Sequence, residues 1–115
     1  MDTSHAHFPP HLTPFERARI DGLLARLGAE PRLTRVVVFG SRARGRSRAD
    51  SDLDLAVFFA SPRSRELEHW LDAQAASAED VDAPRLQLVP FFTDEPPSRL
   101  DTALQREGIV LWTKN

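Results

Sequence analysis

The stretch "VVVFGSRARGRSRADSDLDLAVFF", residues 36–59, sets two apolar runs around a glycine-serine turn, arginines at alternate positions, and the acids Asp50, Asp52 and Asp54. Leu33 to Phe39 is rich in β-branched residues and stops at Gly40, which predicts a strand; its unbroken valines predict burial on both faces. Leu53 to Phe59 predicts a second strand. Side chains alternate along a strand, so Asp52 and Asp54 emerge on one side about 7 Å apart, while Leu53, Leu55 and Val57 pack on the other. Two carboxylates that close repel unless a cation or a donor neutralises them. A hard divalent ion answers that need, and Mg²⁺ in particular takes one or two carboxylates together with water and substrate phosphates.

Gly40 and Ser41 supply the complementary half. Glycine after a buried strand permits a sharp turn and a close backbone approach, and serine adds a hydroxyl, leaving N–H groups for an anion. The guanidinium forks of Arg42 and Arg44 add bidentate phosphate contacts. A metal and a polyphosphate bound together therefore account for both signs of charge in one segment. A P-loop is excluded because a new strand follows "GSRARGRS" within a few residues where a full helix is required. A calcium loop is excluded because Leu55 stands where the turn glycine belongs and Ser61 where the final glutamate belongs. A solvated hairpin explains any one of these residues, but not two acids on one strand face together with a Gly-Ser turn at the end of the preceding strand.

Outward from this segment, Thr13-Pro14-Phe15-Glu16 reads as a capping box with proline at the first helical position. Ile20, Leu23, Leu24 and Leu27 then follow at helical spacing, and Gly28 ends the helix. Ser61-Pro62 is expected to open a second helix with Leu67, Trp70 and Leu71 on one face. Residues 78–84 read as a polar loop. Leu86 to Phe92 predicts a third strand, with Pro90 marking an edge or an ending. Pro96 to Ser98 start a last helix with Leu100, Ala103 and Leu104 inward, Gly108 closes it, and Ile109 to Trp112 form a final strand. The fold class is α/β (α+β), with a small mixed sheet of about four strands and helices packed on it.

Residues 1–12 are expected to be a mobile lead-in whose His5, His7 and His11 are solvated, and residues 13–115 a single domain. At 115 residues there is room for one core. The 41% hydrophobic and 28% charged fractions are those of a soluble protein, and no apolar run approaches the roughly 20 residues of a membrane span. No secretory signal is visible, and the absence of cysteine fits a cytoplasmic location. A formal net charge of -2 argues against direct nucleic-acid binding, which goes with a basic excess.

Gly40-Ser41, ten residues, then Asp52-Leu53-Asp54 resembles the G-S-x₁₀-D-x-D signature of the minimal nucleotidyltransferases, small members of the DNA polymerase β-like superfamily. "GSRARG", "SDLDL" and the closing "LQREGIVLW" are similar to fuller forms of that pattern. The resemblance implies transfer of a nucleoside monophosphate, AMP from ATP or another NTP, to an acceptor. Gly40 and Ser41 would hold the terminal phosphates, Arg44 would assist with their charge, and Asp52 and Asp54 would bind Mg²⁺ as the catalytic pair. Members of the family generally place a third carboxylate on the following strand. The aligned position here is Gln87, which supplies no charge and cannot act as a base; Asp80 or Asp82 would substitute if that strand began earlier. The family also implies a biological setting, as antitoxin to a HEPN-type ribonuclease that is modified in trans. A degenerate transferase that holds a nucleotide and neutralises its partner by association is the alternative, and a nucleic-acid end modifier is disfavoured by the neutral charge. Arg63 and His69 fit the R-x₄₋₆-H spacing of such ribonucleases, but in an α/β chain the match is chance.

Overall fold

The computed structural model describes residues 4–6, 14–39, 53–78, 86–95, 104, 106 and 108–114. Along the chain these form β1 (Ser4–Ala6), α1 (Pro14–Leu27), β2 (Leu33–Phe39), β3 (Leu53–Phe59), α2 (Arg65–Ser77), β4 (Leu86–Phe91) and β5 (Ile109–Lys114). The strands make one mixed sheet in the order β1-β5-β2-β3-β4. β3 pairs antiparallel with β2 and parallel with β4, while β5 pairs antiparallel with both β2 and β1. The lead-in thus contributes a fifth strand where about four were expected, because Ser4, His5 and Ala6 find register partners in Lys114, Thr113 and Trp112. The final strand accordingly runs to Lys114, two residues beyond the expected end.

The larger core lies between the sheet and the two helices. Ile20, Leu23, Leu24 and Leu27 of α1 and Leu67 and Leu71 of α2 are buried against Leu33, Val36, Val38, Leu53, Leu55, Val57 and Leu111. On the opposite face Val37, Ala56 and Leu104 form a smaller buried cluster, flanked by half-buried Phe39, Phe58, Phe91 and Val110. Helices on one face and Leu104 on the other explain the buried valine run: Val36 and Val38 turn to the helices and Val37 turns away.

Two bulges keep these faces apolar. Leu33 pairs with Phe59 and Arg35 with Phe58, so Thr34 is the extra residue on β2; its hydroxyl donates to the Phe58 carbonyl at 3.1 Å. The insertion lets Leu33 share the helix-facing side with Val36, which strict alternation forbids. On β5, Val36 pairs with Trp112 and Val37 with Val110, leaving Leu111 as the extra residue.

α2 begins later than the sequence suggests. Its N-cap is Ser64, whose hydroxyl accepts from the Leu67 N–H at 3.2 Å, whereas Ser61 donates to the Pro62 carbonyl. The intervening residues are taken up by the turn after β4: the Thr93 N–H donates to the Ser61 carbonyl at 2.8 Å and the Arg63 N–H to Asp94 at 2.9 Å. At its other end α2 has no basic residue in its last turn. Arginines of α1 serve instead, Arg19 donating to the Ala78 carbonyl at 2.9 Å and Arg26 to the Gln74 carbonyl at 3.3 Å. The Gln74 carbonyl also accepts from the Ala78 N–H at 3.2 Å, and cations at this end of the helix oppose the negative end of its dipole.

Of the expected last helix, Leu104 and Arg106 are helical and Leu104 is buried; the rest of it falls outside the described residues. Gly108 follows because the chain there runs against the sheet: a Cβ would stand 2.6 Å from Val37 Cγ1 and 2.5 Å from the Leu104 carbonyl oxygen.

Candidate functional site

Asp54 is the second residue of β3, a strand with neighbours on both sides. Alternation turns Leu53, Leu55, Val57 and Phe59 to the helices, where all are buried, and turns Asp54, Ala56 and Phe58 to the other face. Asp54 is half-buried there. Its register partners are Phe39 on β2 and Gln87 on β4. In a parallel pair, residues in register share a face, so the exposed Gln87 presents an amide beside the Asp54 carboxylate.

The segment that connects β2 to β3 carries Gly40, Ser41, Arg44 and Asp52, all outside the described residues, as are Asp80 and Asp82. Its two anchors are nonetheless fixed. The chain leaves the sheet at Phe39 and re-enters at Leu53, and Phe39 is paired with Asp54. The fold therefore attaches both ends of the glycine-serine and aspartate segment at one end of the sheet, next to Asp54 and Gln87. Among the described residues, no group of three His, Cys, Asp or Glu side chains is placed to hold a metal ion.

The same face carries a feature the sequence did not single out. The Arg35 guanidinium lies 4.2 Å over the Phe58 ring, which stacks on Phe91 at 4.8 Å. These aromatics border a groove of about 340 Å³ that also takes in Thr34, Thr93 and Glu95. It lies four residues along β3 from Asp54, about 13 Å away, at the other end of the strand. Phe39, the second neighbour of Asp54, was likewise legible only as a strand residue; register, which no residue-by-residue pattern reports, sets it beside Asp54.

Residues 24–115 match the family model described as polymerase beta, nucleotidyltransferase. The chain belongs to that family. Solved structures agree on the nucleotidyltransferase fold. One of a candidate minimal nucleotidyltransferase is 35% identical, with 88% of this chain and 98% of that one covered and a TM-score of 0.59. A toxin–antitoxin crystal structure with AMP-PNP is 26% identical over 85% of this chain and 73% of that one, with a TM-score of 0.60. A third, of the tri-AMPylated Shewanella oneidensis HEPN toxin in complex with MNT antitoxin, is 22% identical. It covers 84% of this chain and 69% of that one at a TM-score of 0.54, and shows the fold alone. No curated protein sequence matches the chain significantly. Among the described residues, no helix is long and apolar enough to cross a membrane.

Proposed function

We propose that this chain is a magnesium-dependent nucleotidyltransferase that moves AMP from ATP onto a partner protein in the cytoplasm, as the antitoxin of a HEPN-type toxin pair. The observation that carries the reading is the position of Asp54. It lies at the entry to a central strand, on the face away from the helices, beside both anchors of the segment with Gly40, Ser41 and Asp52. Family membership and the likeness to a toxin–antitoxin structure with AMP-PNP support the substrate and the partner.

In this reading Asp52 and Asp54 hold the cation, and the donor chemistry fits: carboxylate oxygens, with the Gln87 carbonyl oxygen in register beside Asp54, are hard ligands suited to magnesium. Backbone N–H groups at Gly40 and the Ser41 hydroxyl hold the terminal phosphates, and Arg44 adds a bidentate contact. The acceptor hydroxyl oxygen bonds to the α-phosphorus as the bond to the bridging oxygen breaks; pyrophosphate leaves, and the hydroxyl proton passes to solvent. Magnesium, when bound, supplies positive charge against the triphosphate and the departing pyrophosphate. This chain's contribution is thus positioning and electrostatics.

Incubation with labelled ATP, Mg²⁺ and the HEPN-type protein encoded beside it tests the proposal. Label should appear on the partner and vanish with Asp52→Asn, Asp54→Asn, a loss of at least about 100-fold. A second reading, a binding module that neutralises its partner by association, is favoured by the amide of Gln87 where a third acid would assist proton removal. Complex formation without label on the partner would establish that reading instead.

A further inference from the structure

We propose that the groove at the far end of β3 from Asp54 docks an arginine side chain of a partner protein, which takes the place of the chain's own Arg63 at Glu95. The inference goes beyond the nucleotidyltransferase reading, since no residue of the groove belongs to the candidate site. β3 and β4 run parallel and end side by side, with Phe58 in register with Phe91 and the two rings stacked at 4.8 Å. After each comes a second phenylalanine on the helix side, Phe59 and Phe92, and these stack at 5.6 Å. Four rings therefore wall one groove of about 340 Å³. That is the small end of the roughly 300–1,000 Å³ of ligand pockets, which suits a side chain rather than a large ligand. Its polar lining is Thr34, Thr93 and one charged residue, Glu95.

The chain's own arginines indicate what these rings attract. The Arg63 guanidinium lies 5.7 Å over Phe92 and donates to Glu95 at 3.2 Å, and the Arg35 guanidinium lies 4.2 Å over Phe58. Two of the four rings thus face a cation, whose charge is drawn to the negative face of the π-system. The local charge favours one more. Arg63 is shared between Glu95 and, at 3.9 Å, Glu68, and its backbone N–H donates to the Asp94 carboxylate. Glu68, Asp94 and Glu95 therefore stand against Arg35 and Arg63, an excess of one negative charge. Arg63 is also displaceable: its side chain is 58% exposed, and exposed ion pairs hold weakly. An incoming arginine presents five donors in a planar fork, which stacks on the rings while it bonds the carboxylate and the exposed Thr93 hydroxyl. Lysine, a compact and strongly hydrated charge, stacks less well.

The test titrates the full ¹⁵N-labelled chain with an acetylated Gly-Arg-Gly amide and follows the amide signals of Thr34, Ala60 and Thr93, which should shift. The arginine peptide should bind about tenfold more tightly than its citrulline counterpart, which keeps the shape without the charge, and more tightly than Gly-Phe-Gly. Glu95→Gln should weaken it about fivefold. Asp72→Asn, the same charge change at an exposed position of α2, should leave it unaltered. Arg63→Ala should strengthen it by up to about fivefold, because Glu95 is then vacated. Equal binding of the citrulline or phenylalanine peptide, an unchanged affinity in folded Glu95→Gln, or a weaker one in folded Arg63→Ala overturns the inference. So do the same shifts on concentrating the protein alone, which would assign the groove to a second copy. None of these outcomes bears on AMP transfer.

Discussion

Glu30 accepts three hydrogen bonds from one residue, from the Arg32 N–H at 2.7 Å, Nε at 3.0 Å and Nη2 at 2.7 Å. The fork pins the turn between α1 and β2, and with it the start of the strand that ends at the candidate site. The hydrogen bonds from Arg32 outweigh the opposing effect of burial and hold the Glu30 carboxyl below its ordinary value of 4.5. Because the folded value is the lower one, the pair's contribution is present above about pH 4.5 and is lost as pH falls through the folded value. Glu30→Gln should therefore melt below wild type at neutral pH, and the gap should close on acidification; a melting series across that range checks it, and a gap constant with pH would count against the pair. Residue chemistry of this kind is partly legible in sequence. The Gly-Ser turn and Asp-x-Asp spacing named the candidates, but that Gln87 neighbours Asp54 needed a strand register.

Ser64 illustrates what a helix boundary depends on. Two serines precede α2, and Ser61-Pro62 carries the more familiar start signal; the cap nonetheless falls at Ser64, because residues 61–63 are hydrogen-bonded to the turn that follows β4. Ser64→Ala should lower stability by about 1 kcal/mol, whereas Ser61→Ala, which loses an exposed bond to its neighbour's carbonyl, should stay within about 0.5 kcal/mol. Urea denaturation of both variants separates them, and equal losses would contradict the assignment. Elsewhere the elements were well marked. β2 and β3 begin and end where β-branched and apolar residues do, and α1 runs from its proline to the leucine before Gly28. Hydrophobic period and breaker residues act locally, so they survive translation into structure. The bulges at Thr34 and Leu111 do not show in the period, since an extra residue on one strand is defined only by its partner.

At the scale of the molecule, the sheet has one face packed against α1 and α2 and an opposite face on which Asp54 and Gln87 emerge. Phe59 is buried, packing with Phe92 at 5.6 Å and Trp70 at 6.3 Å, while its neighbour Phe58 is half-buried on the opposite face, between Arg35 and Phe91. Phe59→Ala should cost about 3–5 kcal/mol and Phe58→Ala clearly less, with urea midpoints as the measure; a reversed order would refute the two-faced arrangement. Sequence alone determined the class of fold, the two strands that flank the acidic segment, and the family signature, since each depends on residues near one another along the chain. It also named the candidate residues: paired aspartates, a glycine-serine pair and an amide, with no cysteine in the chain. Tertiary structure decided what stands beside what. Long-range pairing brought β4 parallel to β3 and so set Gln87 against Asp54, placed β5 between β2 and β1, and chose the face on which Asp54 emerges. Those outcomes rest on strand register and on which face the helices cover, and both are settled by burial of the whole apolar surface at once.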